Sequence, residues 1–360
     1  MNNIVLVRRG HSGIGGAEQY LKRLGRALAE RGLGTRLYTT QDWPEGEWPF
    51  GDLVKFDAST PWLFAREIQK TRQSGEILFS LDRVFKCDCY RAGDGVHRSW
   101  LERRIAHEPA WRSRFRFLNP KHRQILELER VLFECGGAGK VIANSKLVKG
   151  EIVREFGYTP ENIRVIYNGL PQAQRNCEPN KRRELRRSWE LQNGELVVLF
   201  AGSGWERKGL NYAIEAVRTV RRPGVRLLVA GSGTKPASIP ESVRFLGPVA
   251  NMPTLYPAAD LFILPTIYDP FSNACLESLA FGTPVITTRA NGFSEIMESG
   301  VHGQVIDHPN DIGSIQKAIE EWSDPDRRET ARPKCANLAE QFSMDRNVTQ
   351  TLEVLEGLIR

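Results

Sequence analysis

Short apolar, β-branched runs recur along the chain and alternate with longer segments whose apolar positions repeat every three or four residues. The runs are NIVLV (3–7), TRLYT (35–39), EILFS (76–80), KVIAN (140–144), IRVIY (163–167), LVVLFA (196–201), VRLLVA (225–230), VRFLG (243–247), LFILP (261–265) and TPVITT (283–288). The amphipathic patterns cover 16–31, 146–156, 210–221, 273–281, 312–322 and 347–358. Strand-length runs alternating with helix-length patterns predict parallel sheets joined by crossover helices, an α/β protein.

The rhythm breaks at NGLPQAQRNCEPNKRR (168–183), which is rich in Pro, Asn and Gln and has no apolar period. It reads as a linker, and 360 residues are enough for two domains, each with its own core. Past the linker, VVLFAGSGWERKGLNYAIEAV (197–217) repeats the strand, glycine loop and helix of IVLVRRGHSGIGGAEQYLKRL (4–24). Two doubly wound, Rossmann-like domains are therefore expected, 1–170 and 171–342, with the C-terminal strand ends of both facing a cleft.

Charge sharpens this picture. The net charge is +7, but residues 1–170 hold 28 Lys/Arg against 20 Asp/Glu, and the remainder 22 against 23. The excess in the first half points to an anionic partner there, or to a merely basic surface. Six cysteines show no CxxC pair and no His at zinc-ligand spacing, the pattern of reduced thiols in the cytoplasm. No apolar run approaches the roughly 18 residues of a membrane span, so any membrane contact is expected to be peripheral.

Neither glycine loop matches Gly-x-Gly-x-x-Gly: from Gly13 the last position is Glu18, and from Gly10 the middle one is Ser12. A nicotinamide-dinucleotide reading loses its main support. What remains is a loop with Gly15 and Gly16 whose amides can approach an anion at a helix start, or a plain tight turn. In GSGWERKG (202–209), Arg207 and Lys208 stand just before a helix expected from Leu210, a place suited to a pyrophosphate. In YDPFSNACLESLAFGTPVI (268–286), Asp269 follows an apolar strand and Glu277 lies eight residues on, along a helix starting near Asn273. One carboxylate can accept from sugar hydroxyls and the other from a ribose diol.

These segments resemble the retaining GT-B glycosyltransferases of family 4 over nearly the whole chain. Asp269 to Glu277 is similar to that family's donor signature, ERKG (206–209) to its phosphate site, and VIANSKLVKGEIVREFGYTPENIRVIYNGL (141–170) to its approach to the linker. The resemblance implies that Arg207 and Lys208 neutralise the donor diphosphate and Asp269 binds the transferred sugar. Backbone amides of Phe271, Ser272 and Asn273 would assist, Glu277 would bind the ribose, and Gly15 and Gly16 would meet the donor from the first domain. It also implies that residues 343–360 form a helix returning to that domain. Two positions depart from the family: Asp269 stands for its usual Glu, and Gly202 for a frequent Arg.

Asp94 lies between Gly93 and Gly95, followed by His97 and Arg98. An Asp-Gly of this kind makes a turn, or orients an acceptor hydroxyl and steadies an oxocarbenium-like centre. The string DCYRAGD (88–94) resembles the lipopolysaccharide core glucosyltransferases, which implies UDP-glucose as donor, an inner-core heptose as acceptor, Asp94 as catalytic, and His97 and Arg98 as acceptor-binding. Residues 98–123 carry eight Lys/Arg against Glu102 and Glu108, interleaved with Trp100, Trp111, Phe115 and Phe117. At about 1 kcal/mol per basic residue near an anionic leaflet, such a segment suits the inner face of the inner membrane. It equally suits a phosphate-rich acceptor, or helices whose aromatics enter the core.

No nucleic-acid-binding signature accompanies this basic segment, so no nucleic-acid partner is expected. The sole Asp-x-Asp, Asp324 to Asp326, reads as a helix cap rather than a metal site, so cations rather than a metal or other cofactor are expected to stabilise the leaving phosphate. The alternatives are a UDP-sugar 2-epimerase of the same fold, which leaves 98–123 unexplained, and a glycosyltransferase acting on another membrane-linked or phosphorylated saccharide. The sequence leaves open the donor sugar, the exact acceptor and the oligomeric state.

Overall fold

The computed structural model of the chain describes residues 4–11, 16–108, 119–171, 179–192, 194–236, 238–249 and 251–359. They divide into two units, Met1–Tyr167 with Met344–Arg360, and Asn168–Ser343. The first unit runs β1 (Ile4–Val7), α1 (Gly16–Glu30), β2 (Thr35–Thr40), β3 (Gly51–Phe56), α2 (Pro61–Thr71), β4 (Ile77–Ser80), β5 (Cys87–Ala92), α3 (His97–Ile105), α4 (Pro120–Phe133), β6 (Ala138–Ala143), α5 (Lys146–Phe156) and β7 (Ile163–Val165). Its sheet is parallel in the order β3-β2-β1-β4-β5-β6-β7.

The second unit contains α6 (Pro179–Ser188), β8 (Leu196–Ala201), α7 (Trp205–Lys208), α8 (Leu210–Thr219), β9 (Val225–Ala230), β10 (Val243–Gly247), β11 (Leu261–Leu264), α9 (Asn273–Ala280), β12 (Val285–Thr288), β13 (Gly303–Ile306), α10 (Ile312–Glu321) and α11 (Pro325–Glu340). Its parallel sheet has the order β10-β9-β8-β11-β12-β13. In both sheets the strand order reverses beside the first strand of the unit, at β1/β4 and at β8/β11, and ligands of such sheets bind beyond the strand ends at that point.

The last helix, α12 (Met344–Glu356), belongs to the first unit. Its Val348, Leu352 and Leu355 share a buried cluster with Leu21, Leu24 and Leu28 of α1. Burying each such side chain contributes roughly 1.5–3 kcal/mol, enough to hold the helix on the sheet.

Local signals set the ends of the elements. Ser145 caps α5 by accepting from the Val148 amide at 3.2 Å, and Gly157, at φ +62°, stops it. Three strands escape the apolar pattern. β3 and β13 are edge strands with polar or glycine-containing sequences, and β5, CDCYRA, interrupts its apolar residues with Asp88 and Arg91. The stretch 168–183 is not all linker either: its end is the start of α6, and 172–178 lie outside the described residues. Helix α6 is anchored through Arg182 and Arg186, which both pair with the buried Asp260 just before β11, at 2.6 and 3.0 Å.

Candidate functional site

In the second unit the candidate groups gather beyond β8, β11 and β12. Arg207 and Lys208 do not simply precede the long helix. They close a one-turn helix of their own, α7, which Gly209 at φ +78° joins to α8. A Cβ at Gly209 would run into the Pro265 carbonyl oxygen, so only glycine lets the turn approach the 265–268 loop. The turn is stitched to that loop. The Arg207 carbonyl accepts from the Ile267 amide and the Thr266 hydroxyl, both at 2.9 Å, and Arg207 Nη1 donates to the Tyr268 carbonyl at 2.9 Å.

Lys208 Nζ makes an ion pair with Asp269, and both side chains are nearly buried, 12% and 6% exposed. The backbone of Asp269 is held from both sides: its amide donates to the Ala290 carbonyl at 3.0 Å and its carbonyl accepts from Gly292 at 2.9 Å. Asn291, fully buried, completes the frame. Its Oδ1 accepts from the amides of Ser272 and Phe293 at 3.2 and 3.1 Å, and its Nδ2 donates to Thr287 Oγ1 at 3.0 Å. The Ser272 amide, expected to meet the donor sugar, is thus already taken. Ser272 instead caps α9 through its hydroxyl, which accepts from the Cys275 amide.

Asn273 opens α9, and its Oδ1 accepts from Asn168 Nδ2 at 2.9 Å. Phe271 is buried, its ring edge-on to Phe293. Glu277, one turn along α9, is half-buried and accepts from the Tyr256 hydroxyl at 2.6 Å. Burial pushes the Glu277 carboxyl above its ordinary range, and the Tyr256 hydrogen bond opposes that. Asp324 accepts from the Asp326 amide at 3.0 Å at the start of α11, a helix cap. Among the described residues no group of three or more His, Cys, Asp or Glu could hold a metal.

In the first unit, Asp94 sits exposed in the turn between β5 and α3, with Gly95 at φ +71°. The residues after it do not share that exposure. Buried Glu129, reaching from α4, accepts from the amides of His97 and Arg98 at 2.6 and 3.1 Å, and so caps α3, whose own N-cap Val96 offers no side-chain acceptor. Arg83 pairs with the same carboxylate at 2.9 Å and donates to the Gly95 carbonyl at 2.8 Å.

The two residues expected to bind the acceptor, His97 and Arg98, both make contacts within the first unit. His97 Nε2 lies 2.9 Å from His122 Nδ1, and its pKa is pushed down to about 3 by burial, then by Arg83, His122 and Lys121. Arg98 donates to the Glu155 carbonyl at 2.8 Å and stacks over Phe156 at 4.4 Å. Arg98 also pairs with Glu134 at 3.4 Å, and 32% of its side chain is exposed. Gly16 is the first residue of α1, while Gly15 lies outside the described residues. Within 98–123, residues 109–118, with Trp111, Arg112, Arg114, Phe115, Arg116 and Phe117, also lie outside them. Arg103 is paired with buried Glu151 at 3.0 Å, and Arg104 with Glu108. No described helix is long and apolar enough to cross a membrane.

Comparison with known proteins agrees with this architecture. A Glycosyltransferase Family 4 model matches residues 14–174, and a model of Glycosyl transferases group 1 matches residues 195–324. In both halves, then, the chain is similar to glycosyltransferases. Among curated relatives it is 28% identical to a glycosyltransferase of Methanocaldococcus jannaschii over 60% of this chain and 59% of that protein. It is 29% identical to a probable transglycosylase of Burkholderia thailandensis over 85% and 82%. The chain therefore spans a little over half the length of the first of these and most of the second. Among solved structures it resembles WaaG, a glycosyltransferase involved in lipopolysaccharide biosynthesis, with TM-score 0.78, 19% identity, and coverage of 98% of this chain and 99% of WaaG. It also resembles HepE of Anabaena in complex with UDP-glucose, with TM-score 0.70, 20% identity and 99% of each chain covered. At these identities the likeness is one of fold: two Rossmann-like units, as in GT-B glycosyltransferases.

Proposed function

We propose that the protein transfers glucose from UDP-glucose to a saccharide of a membrane-linked acceptor, an inner-core heptose of lipopolysaccharide, with retention at the anomeric carbon and without a metal. The observation that carries the donor half is the Lys208–Asp269 pair beside Arg207, held at the β8/β11 switch point. A leaving diphosphate gathers negative charge as the sugar bond breaks, and preorganised cations in a poorly hydrated site favour that charge most strongly. Lys208 and Arg207 supply them, Asp269 accepts from the sugar hydroxyls, and Glu277 takes the ribose diol. Asp94 would face the acceptor hydroxyl or the oxocarbenium-like centre. HepE was solved with UDP-glucose, and WaaG takes part in lipopolysaccharide biosynthesis; both support the choice of donor and acceptor. The basic and aromatic stretch 98–123 supports peripheral attachment at the cytoplasmic face of the inner membrane.

Calorimetric titration with UDP, UDP-glucose and other nucleotide sugars in EDTA tests the donor half. Binding of UDP-glucose that is lost in Lys208→Ala is the expected result. Absence of binding by any nucleotide sugar, or unchanged binding by the variant, refutes it.

A further inference from the structure

Beside His97 and Arg98, other groups occupy the neighbouring strand ends. β1, β4 and β5 lie side by side, and beyond their C-terminal ends stand Arg8, Asp82 and Asp94. The Arg8 guanidinium is 3.6 Å from Asp82 and 3.7 Å from Glu18, too far for a hydrogen bond to either. About a fifth of each side chain of Arg8 and Asp82 is open, 22% and 19%. Asp82 is held in place by the Arg9 amide, which donates to its Oδ2 at 2.7 Å. Asp94 is exposed, and its charge acts on Arg8, Asp82 and Arg83. Beneath them Glu18 is 3% exposed, and among the described residues its Oε2 has no hydrogen-bond partner, nor does the buried Nε of Arg8. Opposite charges here share a field but keep hydrogen-bonding capacity unspent.

The balance of charge selects the ligand. Arg8 faces Glu18, Asp82 and Asp94, and Arg9 adds its charge at Asp82 alone, so these carboxylates outnumber the cations, while Arg83 pairs with Glu129. A phosphate placed there would meet three carboxylates. A hydroxyl donates and accepts at once, and so fits between a guanidinium and a carboxylate.

We propose that Arg8, Asp82 and Asp94 form the acceptor subsite, and that it takes adjacent hydroxyls of a neutral pyranose ring in preference to a phosphorylated sugar. This rests on the transferase reading above. Saturation-transfer NMR with D-mannose, L-glycero-D-manno-heptose and mannose 6-phosphate, in the presence of UDP, tests it; UDP-glucose calorimetry on the same proteins reads the donor site separately. The expected result is transfer to the ring protons of the neutral sugars, reduced at least about fivefold in Arg8→Gln and in Asp82→Asn, with UDP-glucose affinity within about twofold of wild type. Asp82→Asn keeps an acceptor for the Arg9 amide, so it remains informative if Arg8→Gln, which strips Glu18 of its cation, does not fold. Equal transfer in wild type and Asp82→Asn, no transfer to either neutral sugar, or a stronger signal from mannose 6-phosphate overturns the proposal. Loss of UDP-glucose binding by the wild type overturns the donor reading instead.

Discussion

The Lys208–Asp269 pair yields the sharpest prediction. Each is the other's partner, and both are nearly buried. Replacing Lys208 with Met keeps the aliphatic stem and removes the charge, leaving Asp269 as a buried carboxylate without its cation. Breaking such a pair from one side costs about 3–5 kcal/mol. For a unit of this size, 1 kcal/mol moves the melting temperature by roughly 2–4 °C, so at the lower bound Lys208→Met should melt about 6–12 °C lower. Adding Asp269→Asn removes the stranded charge, so the double variant should recover at least half of that loss. The same pair competes with the donor: UDP alone would draw off Lys208, whereas UDP-glucose would also bring hydroxyls to Asp269. Asp269→Asn should therefore bind UDP at least as tightly as wild type while losing about tenfold of its preference for UDP-glucose, a difference of about 1.4 kcal/mol. Scanning calorimetry and titration of the four proteins test this. If Lys208→Met melts within about 1 °C of wild type, or Asp269→Asn deepens the loss in the double variant, the pair is not the buried, coupled unit described here.

Two further perturbations probe the scaffold. Because His97 titrates near pH 3 when folded and near 6.5 when unfolded, the unfolded chain binds the extra proton between those values; stability is full above about pH 6.5 and falls as pH drops towards 3. Urea unfolding should show wild type losing about 2 kcal/mol more than His97→Gln between pH 7.5 and 5, and equal losses would remove His97 as the cause. Gly209→Ala combines a left-handed φ with a collision against the Pro265 carbonyl, and should destabilise the second unit by at least about 3 kcal/mol. Gly224→Ala, at φ +72° with room around it, should cost only about 1 kcal/mol, and similar thermal shifts for the two would refute the close-approach argument.

The fold was legible where burial and periodicity coincide. β8 reads LVVLFA because it is buried along its whole length, and α5 carries its own start and stop in Ser145 and Gly157. Edge strands hide for the converse reason. β3 has no fully buried residue, so nothing in GDLVKF had to be apolar. The positions of the groups proposed for the donor were legible, since Asp269, Lys208 and Glu277 follow strand ends and a helix phase that the sequence displays. What was missing was the partner of each group. Tyr256 is 21 residues from Glu277, and Asn291 is 19 from Ser272; no local pattern announces such pairs.

The surroundings of His97 and Arg98 were not legible either, and the reason lies in one carboxylate. Helix α3 begins at His97 without a capping side chain of its own, because Val96 stands at the N-cap. Its first amides must find an acceptor, and the one that meets them, Glu129, comes from α4, 32 residues on. Burying that carboxylate requires a cation, which Arg83 supplies. Once Glu129 grips their amides, the side chains of His97 and Arg98 leave from a buried helix end, one to His122 and the other to Phe156. The same clamp holds the Gly95 carbonyl through Arg83 and fixes the turn that exposes Asp94. Replacing Glu129 should therefore disturb Asp94 although the two do not touch, whereas replacing Arg98 should cost stability and leave the acceptor alone.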